Sequence, residues 1–348
     1  MPLTRHIPTL VASALAIALS AQTAVAQEFT LRMHQFLPAQ ANVPAHVLDV
    51  WAAQVEQASE GRIEIQHFPS MQLGGTPPEL YDQAVDGVAD IIWTLPGYTP
   101  GRFPQTEVFE LPFMMSDAEA TSRAFWRLAE ERDLFSTAFS DVKVLGLWVH
   151  GPGVIHSSDP ITTPADLNGV KLRAPTRVTN QLFTSLGATA VGMPVPAVPE
   201  ALSKGVIDAT VIPWEVTTAL RVAELVEYHT EFSVAPIYTA TFIMAMNKDA
   251  YEALPADLQA VIDEASGLEF SGYAGATMQE WDLPGREAAE DEGNEIITLT
   301  AEQIGEWQAA SQETMDAWVA EMNEAGMDGT GMLARARALI AEETVAAN

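Results

Sequence analysis

The chain of 348 residues contains no cysteine, so an oxidising compartment is permitted but not exploited, and stability has to come from burial. Positive charge is scarce. Lys and Arg number 17 against 47 Asp and Glu, a formal net charge of -30. Nucleic acid and anionic lipid are poor partners for such a surface, and no nucleic-acid role is expected. Past the N-terminus no stretch has the ~18 uninterrupted apolar residues that a membrane-spanning helix needs. There is no Walker loop and no Gly-x-Ser-x-Gly elbow. Gly151-Pro-Gly153-Val-Ile-His156 opens like a dinucleotide fingerprint, but it lacks the third glycine and runs into a strand. The seven histidines are scattered without an i, i+4 pair, so neither a metal nor any other cofactor is expected.

What is present begins with an export signal. Met1 to His6 is a short basic start, Ile7 to Ala21 is apolar, and Ala24-Val25-Ala26 is a small-residue cleavage site. Cleavage after Ala26 removes one base, Arg5, from the 17 and no acid from the 47, leaving 16 against 47, or -31. The mature chain is expected to be soluble and exported to the periplasm. Its roughly 320 residues suffice for two compact α/β lobes.

The patterning supports that class. Glu28 to Met33 alternates as a strand, Val47, Trp51 and Val55 recur at helical spacing, and Arg62 to Phe68 alternates again. Such a β-α-β opening argues for a parallel sheet with helices across it. Capping boxes are expected at Thr76-Glu79, Ser116-Glu119 and Thr300-Gln303. A crossover without a helix at His150-Gly-Pro-Gly153 suggests a domain boundary. Ile237 to Met246 is expected to cross back as a strand, and Ala250 to about Asp291 to be almost wholly helical, bent at Leu283-Pro284-Gly285. A single helix is expected after Glu215, carrying Leu220, Ala223, Leu225 and Val226. These limits divide the chain into a signal peptide (1–26), lobe I (27–150 and 239–280) and lobe II (151–238 and 281–348).

Two short strands organise the chemistry. Gly169 to Pro175 delivers Arg173 to a strand end, and Ile207 to Glu215 repeats the pattern of apolar strand, proline and polar group. The two ends read as facing walls of one cleft with Arg173 as its cation. An arginine stays charged at physiological pH and its planar fork matches a carboxylate. In open α/β sheets ligands sit outside the carboxyl ends of strands, which places Trp93, Thr94 and Tyr98 at the cleft, with His34 and Phe36 at the first strand end. Trp148, Trp214, Glu215 and Tyr238 complete the candidate set. Each tryptophan also reads as core packing, Arg173 as half of a structural ion pair, and Glu215 as a cap for the helix that follows it.

The residues resemble the solute-binding proteins of tripartite ATP-independent periplasmic (TRAP) transporters, of the DctP type. The resemblance rests on Glu60-Gly-Arg-Ile-Glu-Ile65, Pro69-Ser-Met-Gln-Leu-Gly74, Phe109-Glu-Leu-Pro-Phe113, Leu167 to Pro175, Leu186-Gly-Ala188 through Met193-Pro194, Ala201 to Asp208, and Leu254-Pro-Ala-Asp-Leu258. It covers nearly all the mature chain. It implies a two-lobed periplasmic binding protein fold with hinge strands and a long helix packing across both lobes. It also implies a small organic anion held between the lobes, with the arginine at the Arg173 position making a bidentate salt bridge to its carboxylate. The partners implied are the small and large TRAP membrane subunits, and the receptor is expected to be a monomer.

Two departures bear on the ligand. Gly153 stands where the sialic-acid branch has a second arginine, and Ile212 where that branch has an asparagine. With Trp93, Trp148 and Trp214, these favour an aromatic or other largely apolar monocarboxylate over a polyhydroxylated sugar acid. Alternatives remain open at this point: a sugar, hydroxy or keto acid as ligand, a sensory receptor, or a secreted hydrolase using Glu215 or His34.

Overall fold

The structure, a computed structural model, describes residues 27–346. The expected signal peptide lies outside the described residues. β1 (Phe29–His34) and β2 (Ile63–Phe68) pair in parallel, Phe29 opposite Ile63, and α1 (Asp49–Ala58) crosses between them with Trp51 and Val55 buried. After α2 (Leu80–Val85), β3 (Ile91–Thr94) adds to the other side of β1. The box at Thr76 forms as expected, with the Glu79 carboxylate accepting from the Thr76 backbone N–H at 2.7 Å. α3 (Ala118–Glu131) is capped differently. Asp117, not Ser116, caps it, its carboxylate accepting from the Ala120 N–H at 2.8 Å. A carboxylate there also meets the positive end of the helix dipole, which a serine does not.

β4 (Val142–Val149) is the last strand before the chain leaves this sheet. β5 (Gly153–Ser157), β6 (Lys171–Ala174), α4 (Arg177–Ser185), β7 (Thr189–Gly192), α5 (Val198–Ser203), β8 (Ala209–Pro213), α6 (Thr217–Leu220) and β9 (Tyr228–Phe232) build a second sheet and its helices. β10 (Thr241–Asn247) returns between β3 and β4, antiparallel to both. α7 (Lys248–Glu252), α8 (Ala256–Glu264), α9 (Leu268–Glu280) and α10 (Asp282–Asp291) follow. β11 (Glu295–Leu299) then joins the second sheet, and α11 (Ala301–Glu324) and α12 (Gly329–Ala346) end the described chain. The strand orders are β2-β1-β3-β10-β4 and β11-β9-β5-β8-β6-β7. Both sheets are mixed, because β10 and β5 run against their neighbours.

Four features differ from expectation for identifiable reasons. The helix after Glu215 stops at Leu220, because Arg221 turns left-handed at φ 54°. β9 was not expected, since its buried His229 and Thr230 read as polar loop residues. β7 is short, half exposed and ends in glycine, so it also reads as a loop. The long helical run breaks at Trp281 (φ -81°, ψ 2°) rather than at Pro284. Pro284 falls in the first turn of α10, where a missing N–H costs nothing.

The sheets are joined where β4 passes to β5 and where β9 passes to β10. His150 fastens these segments to each other. Its carbonyl accepts from Thr239 Oγ1 at 2.8 Å, and its Nε2 accepts the Ala240 N–H at 3.0 Å. α9 packs on α3 and β4, whereas α10 packs on the turn after β8, so the broken helix spans both sheets. α11 does likewise: Trp307 packs on Phe232, and Trp318 Nε1 donates to Glu107 at 3.1 Å. No helix among the described residues is long and apolar enough to cross a membrane.

Candidate functional site

Between the sheets lies a narrow cavity with about 40 Å³ of free space. Phe36, Leu37, Trp93 and Leu95 line it from the ends of β1 and β3, and Phe242 from β10. Arg173, Ile212, Pro213 and Glu215 line it from the second sheet. His150 and Tyr238 sit where the sheets join. A wider groove of about 720 Å³ runs beside it, between the turn at Gly97 to Pro100 and α4, and shares Tyr98 and Pro175 with it.

Arg173 is the unusual group. It is 1% exposed, and no Asp or Glu among the described residues pairs with it. Register explains its position: β6 lies between β7 and β8, with Arg173 opposite Val191 and Thr210. Nε donates to the Met193 carbonyl at 2.9 Å and Nη1 to the Val211 carbonyl at 3.2 Å. Nη2 is buried with no hydrogen-bond partner. Burial pulls the guanidinium pKa below its ordinary value, opposed by the nearby Tyr98 and Tyr238 hydroxyls. An arginine nevertheless remains charged. Holding that charge dry without a counter-ion costs several kcal/mol, so the site is electrostatically incomplete until an anion enters. The Tyr98 hydroxyl accepts the Val195 N–H at 3.0 Å, which leaves its own proton to donate.

The opposite wall is aromatic. Phe36 stacks on Trp93 at 4.6 Å and 20°, and Trp93 on Phe242 at 5.3 Å and 22°. The Trp93 indole N–H has no partner. Gly153 gives Tyr238 its place, because a Cβ there would lie 2.2 Å from the Tyr238 ring. The position read as a missing arginine is thus filled by a phenol from the neighbouring segment. His150 is neutral, its pKa lowered to about 4 chiefly by burial. Nδ1–H donates to the Gly151 carbonyl at 2.6 Å while Nε2 accepts from Ala240, so it offers a ligand a ring face and no free nitrogen.

Glu215 is 7% exposed, and burial raises its pKa to about 8. Asn42 Nδ2 donates to its Oε2 at 3.1 Å across the gap between the sheets. Its backbone N–H donates to Asp282 Oδ1 at 2.9 Å. Asp282, which is half-buried, is itself raised well above the ordinary range, by loss of solvation first and by Glu215 second.

Of the ten candidates, the structure brings six to the cavity: Phe36, Trp93, Tyr98, Arg173, Glu215 and Tyr238. The other four lie outside it. His34 is held by Gln83 Oε1 at 2.7 Å and by the Leu73 N–H at 3.2 Å, fastening the loop before α2, so both nitrogens are engaged. Thr94 Oγ1 donates to the Pro77 carbonyl. Trp148 lies a layer behind, stacked on Trp93 at 6.4 Å and 4°. Trp214 turns away toward His156 and His229, with Nε1 donating to Glu231 at 2.9 Å. Sequence reasoning missed Asn42, His150 and Phe242. His150 carried a visible mark, a polar residue ending the apolar run of β4. Asn42 carried none, since its partner is 173 residues away. Among the described residues no cluster of His, Asp and Glu is placed to hold a metal ion.

The chain is similar to known solute-binding proteins. The family profile of DctP, "Bacterial extracellular solute-binding protein, family 7", matches residues 35–322. A TRAP solute-binding protein of Rhodoferax ferrireducens, solved with co-purified benzoate, is 50% identical with a TM-score of 0.90, over 92% of this chain and 99% of that one. A marine metagenome TRAP solute-binding protein specific for aromatic acids, solved with 3-hydroxybenzoate, is 42% identical with a TM-score of 0.89, over 91% and 99%. The C4-dicarboxylate-binding periplasmic protein DctP of Rhodobacter capsulatus is 26% identical over 73% of this chain and 75% of its own length.

Proposed function

This chain belongs to the DctP family, bacterial extracellular solute-binding protein family 7, and from that premise we propose that it captures an aromatic or other largely apolar monocarboxylate. The family's members are receptors rather than enzymes. They bind small organic anions and work with TRAP membrane subunits. In this reading the protein reaches the periplasm through cleavage after Ala26, acts as a monomer and delivers its ligand to those subunits.

One observation carries the ligand class: a fully buried guanidinium nitrogen, Nη2 of Arg173, has no protein partner at an aromatic-walled cavity. A ligand carboxylate supplies the missing counter-charge. The Tyr98 and Tyr238 hydroxyls beside Arg173 are the further donors for it. The ring of the acid lies against Phe36, Trp93 and Phe242, where burial contributes roughly 25 cal/mol per Å². Contact with both sheets lets the ligand favour the closed form. The benzoate and 3-hydroxybenzoate found with the two similar structures support this chemistry.

A thermal-shift panel of acids tests the proposal. Benzoate and its simple derivatives are expected to raise the melting temperature in proportion to occupancy. Stabilisation by uronates or C4-dicarboxylates, with none by aromatic acids, would reject it.

A further inference from the structure

The cavity contains a second polar feature that the capture of a carboxylate does not use. Glu215 lines the cavity from the turn after β8. Its Oε2 is taken by Asn42, and no hydrogen bond engages its Oε1 among the described residues. Asn42 enters from the segment between β1 and α1, so the pair bridges the two sheets. Of the other polar groups of the lining, the Trp93 indole N–H has no partner and can only donate. His150 has both nitrogens engaged, and Tyr98 and Tyr238 are grouped with Arg173. Arg173 and Glu215 therefore mark two different ends. One is a fixed cation, and the other is a carboxyl group with a free oxygen.

We infer that Glu215, held by Asn42, is a specificity-determining residue that hydrogen-bonds a hydroxyl group on the ring of the bound acid. The inference rests on the aromatic-acid reading and narrows it to hydroxylated aromatic monocarboxylates. The protonation state agrees with this role. With its pKa raised to about 8, Glu215 carries a proton at neutral pH and does not repel a ligand anion. It then presents both a donor and an acceptor to a phenol. An acid without the hydroxyl leaves this buried group unpaired, and sites built to bond a hydroxyl discriminate strongly against ligands that lack it. A dicarboxylate is disfavoured for a related reason: its second charge has no cation at that end.

Calorimetric titration of the mature protein at pH 7 tests the inference with benzoate, 3- and 4-hydroxybenzoate, and 3- and 4-methylbenzoate. Each methyl acid keeps its partner's shape without the hydroxyl. One hydroxybenzoate is expected to bind about tenfold tighter than both benzoate and its methyl counterpart, as one buried hydrogen bond implies. Glu215→Leu is expected to make the hydroxy acids bind no tighter than their methyl counterparts, and Glu215→Gln to retain the preference. Wild-type protein that binds benzoate or the methyl acids as tightly as the tighter of the two hydroxy acids overturns the inference, and so does a preference that survives Glu215→Leu. Benzoate binding without a hydroxyl preference leaves the carboxylate reading standing. Wild-type protein that binds none of the five overturns both.

Discussion

Arg173 and Arg177 stand one helical turn apart in sequence and meet opposite fates. Arg173, at the end of β6, is buried without an acid. Arg177, at the start of α4, pairs with both oxygens of the buried Glu107 and with Glu321 at 2.6 Å. Glu107 belongs to the segment after β3 and Arg177 to the second sheet's helical layer, so this pair clasps the two halves. The difference separates two uses of the same side chain. A satisfied arginine holds the protein to itself, whereas an unsatisfied buried one waits for something else.

That contrast can be broken from either side. The largest effect is expected for Arg173→Ala, which should weaken carboxylate binding by about 2–5 kcal/mol. The unliganded protein should lose no stability and should gain some, because a dry unpaired charge is removed. Calorimetric binding together with thermal melting of the same sample checks both halves. Near-native affinity would show that Arg173 is not the anchor.

Arg177→Ala should invert the pattern. Leaving Glu107 buried without its partner should cost roughly 1–3 kcal/mol of stability in the unliganded protein. Urea unfolding measures the loss. Binding should weaken only to the extent that closure does. A variant that melted normally but bound no ligand would assign Arg177, and not Arg173, to the anion.

Gly153→Ala sharpens the comparison at the edge of the site. The new methyl group collides with the Tyr238 ring, and overpacking of this kind costs about 1–3 kcal/mol. Because Tyr238 lies beside Arg173, affinity should fall with stability, and the additional truncation Tyr238→Ala should restore neither, because the new methyl group also lies 2.7 Å from the Tyr238 carbonyl oxygen and the lost ring leaves a cavity. Melting and titration of the two variants decide this.

The smallest effect concerns pH. Burial raises Glu110 to about 7 and Glu215 to about 8, and raises Asp282 as well. Burial lowers His150 and His229 to about 4 and His156 well below its ordinary value. At pH 6.5 the unfolded histidines are half protonated, and their contribution dies away by about pH 7.5. The acids do contribute, because the folded chain keeps protons that the unfolded chain has released, so stability falls from about pH 6.5 to 8. Between about pH 4 and 6.5 the histidines oppose the acids, since there the unfolded chain binds protons that the folded imidazoles refuse. The melting temperature of the unliganded protein should therefore decline by a few degrees on the alkaline side. Glu110→Gln combined with Glu215→Gln should flatten the decline. A melting temperature that rises over this range contradicts the assignment.

Much of this arrangement was legible in the chain. The strand-proline punctuation at Arg173 and at Pro213, and the aromatic residues at the ends of β1 and β3, follow from local patterning alone. Trp148 and Trp214 show where such patterning stops. A tryptophan near a strand end looks the same whether it faces a ligand or the layer behind, and only the packing of Trp93 and His156 decides. Glu215 and Asn42 meet only in the folded chain, so their pairing had no local mark. β9 was hidden because its buried residues are polar: His229 bonds His156 at 2.7 Å and Thr230 bonds the Ile161 carbonyl at 2.7 Å, satisfactions invisible to periodicity.

The most direct measurement is a crystal structure of the mature protein with benzoate bound. The carboxylate is expected within about 3 Å of Arg173 Nη2, with the ring between Phe36, Trp93 and Phe242. Benzoate bound with its carboxylate elsewhere, and Nη2 still without a partner, would contradict the account.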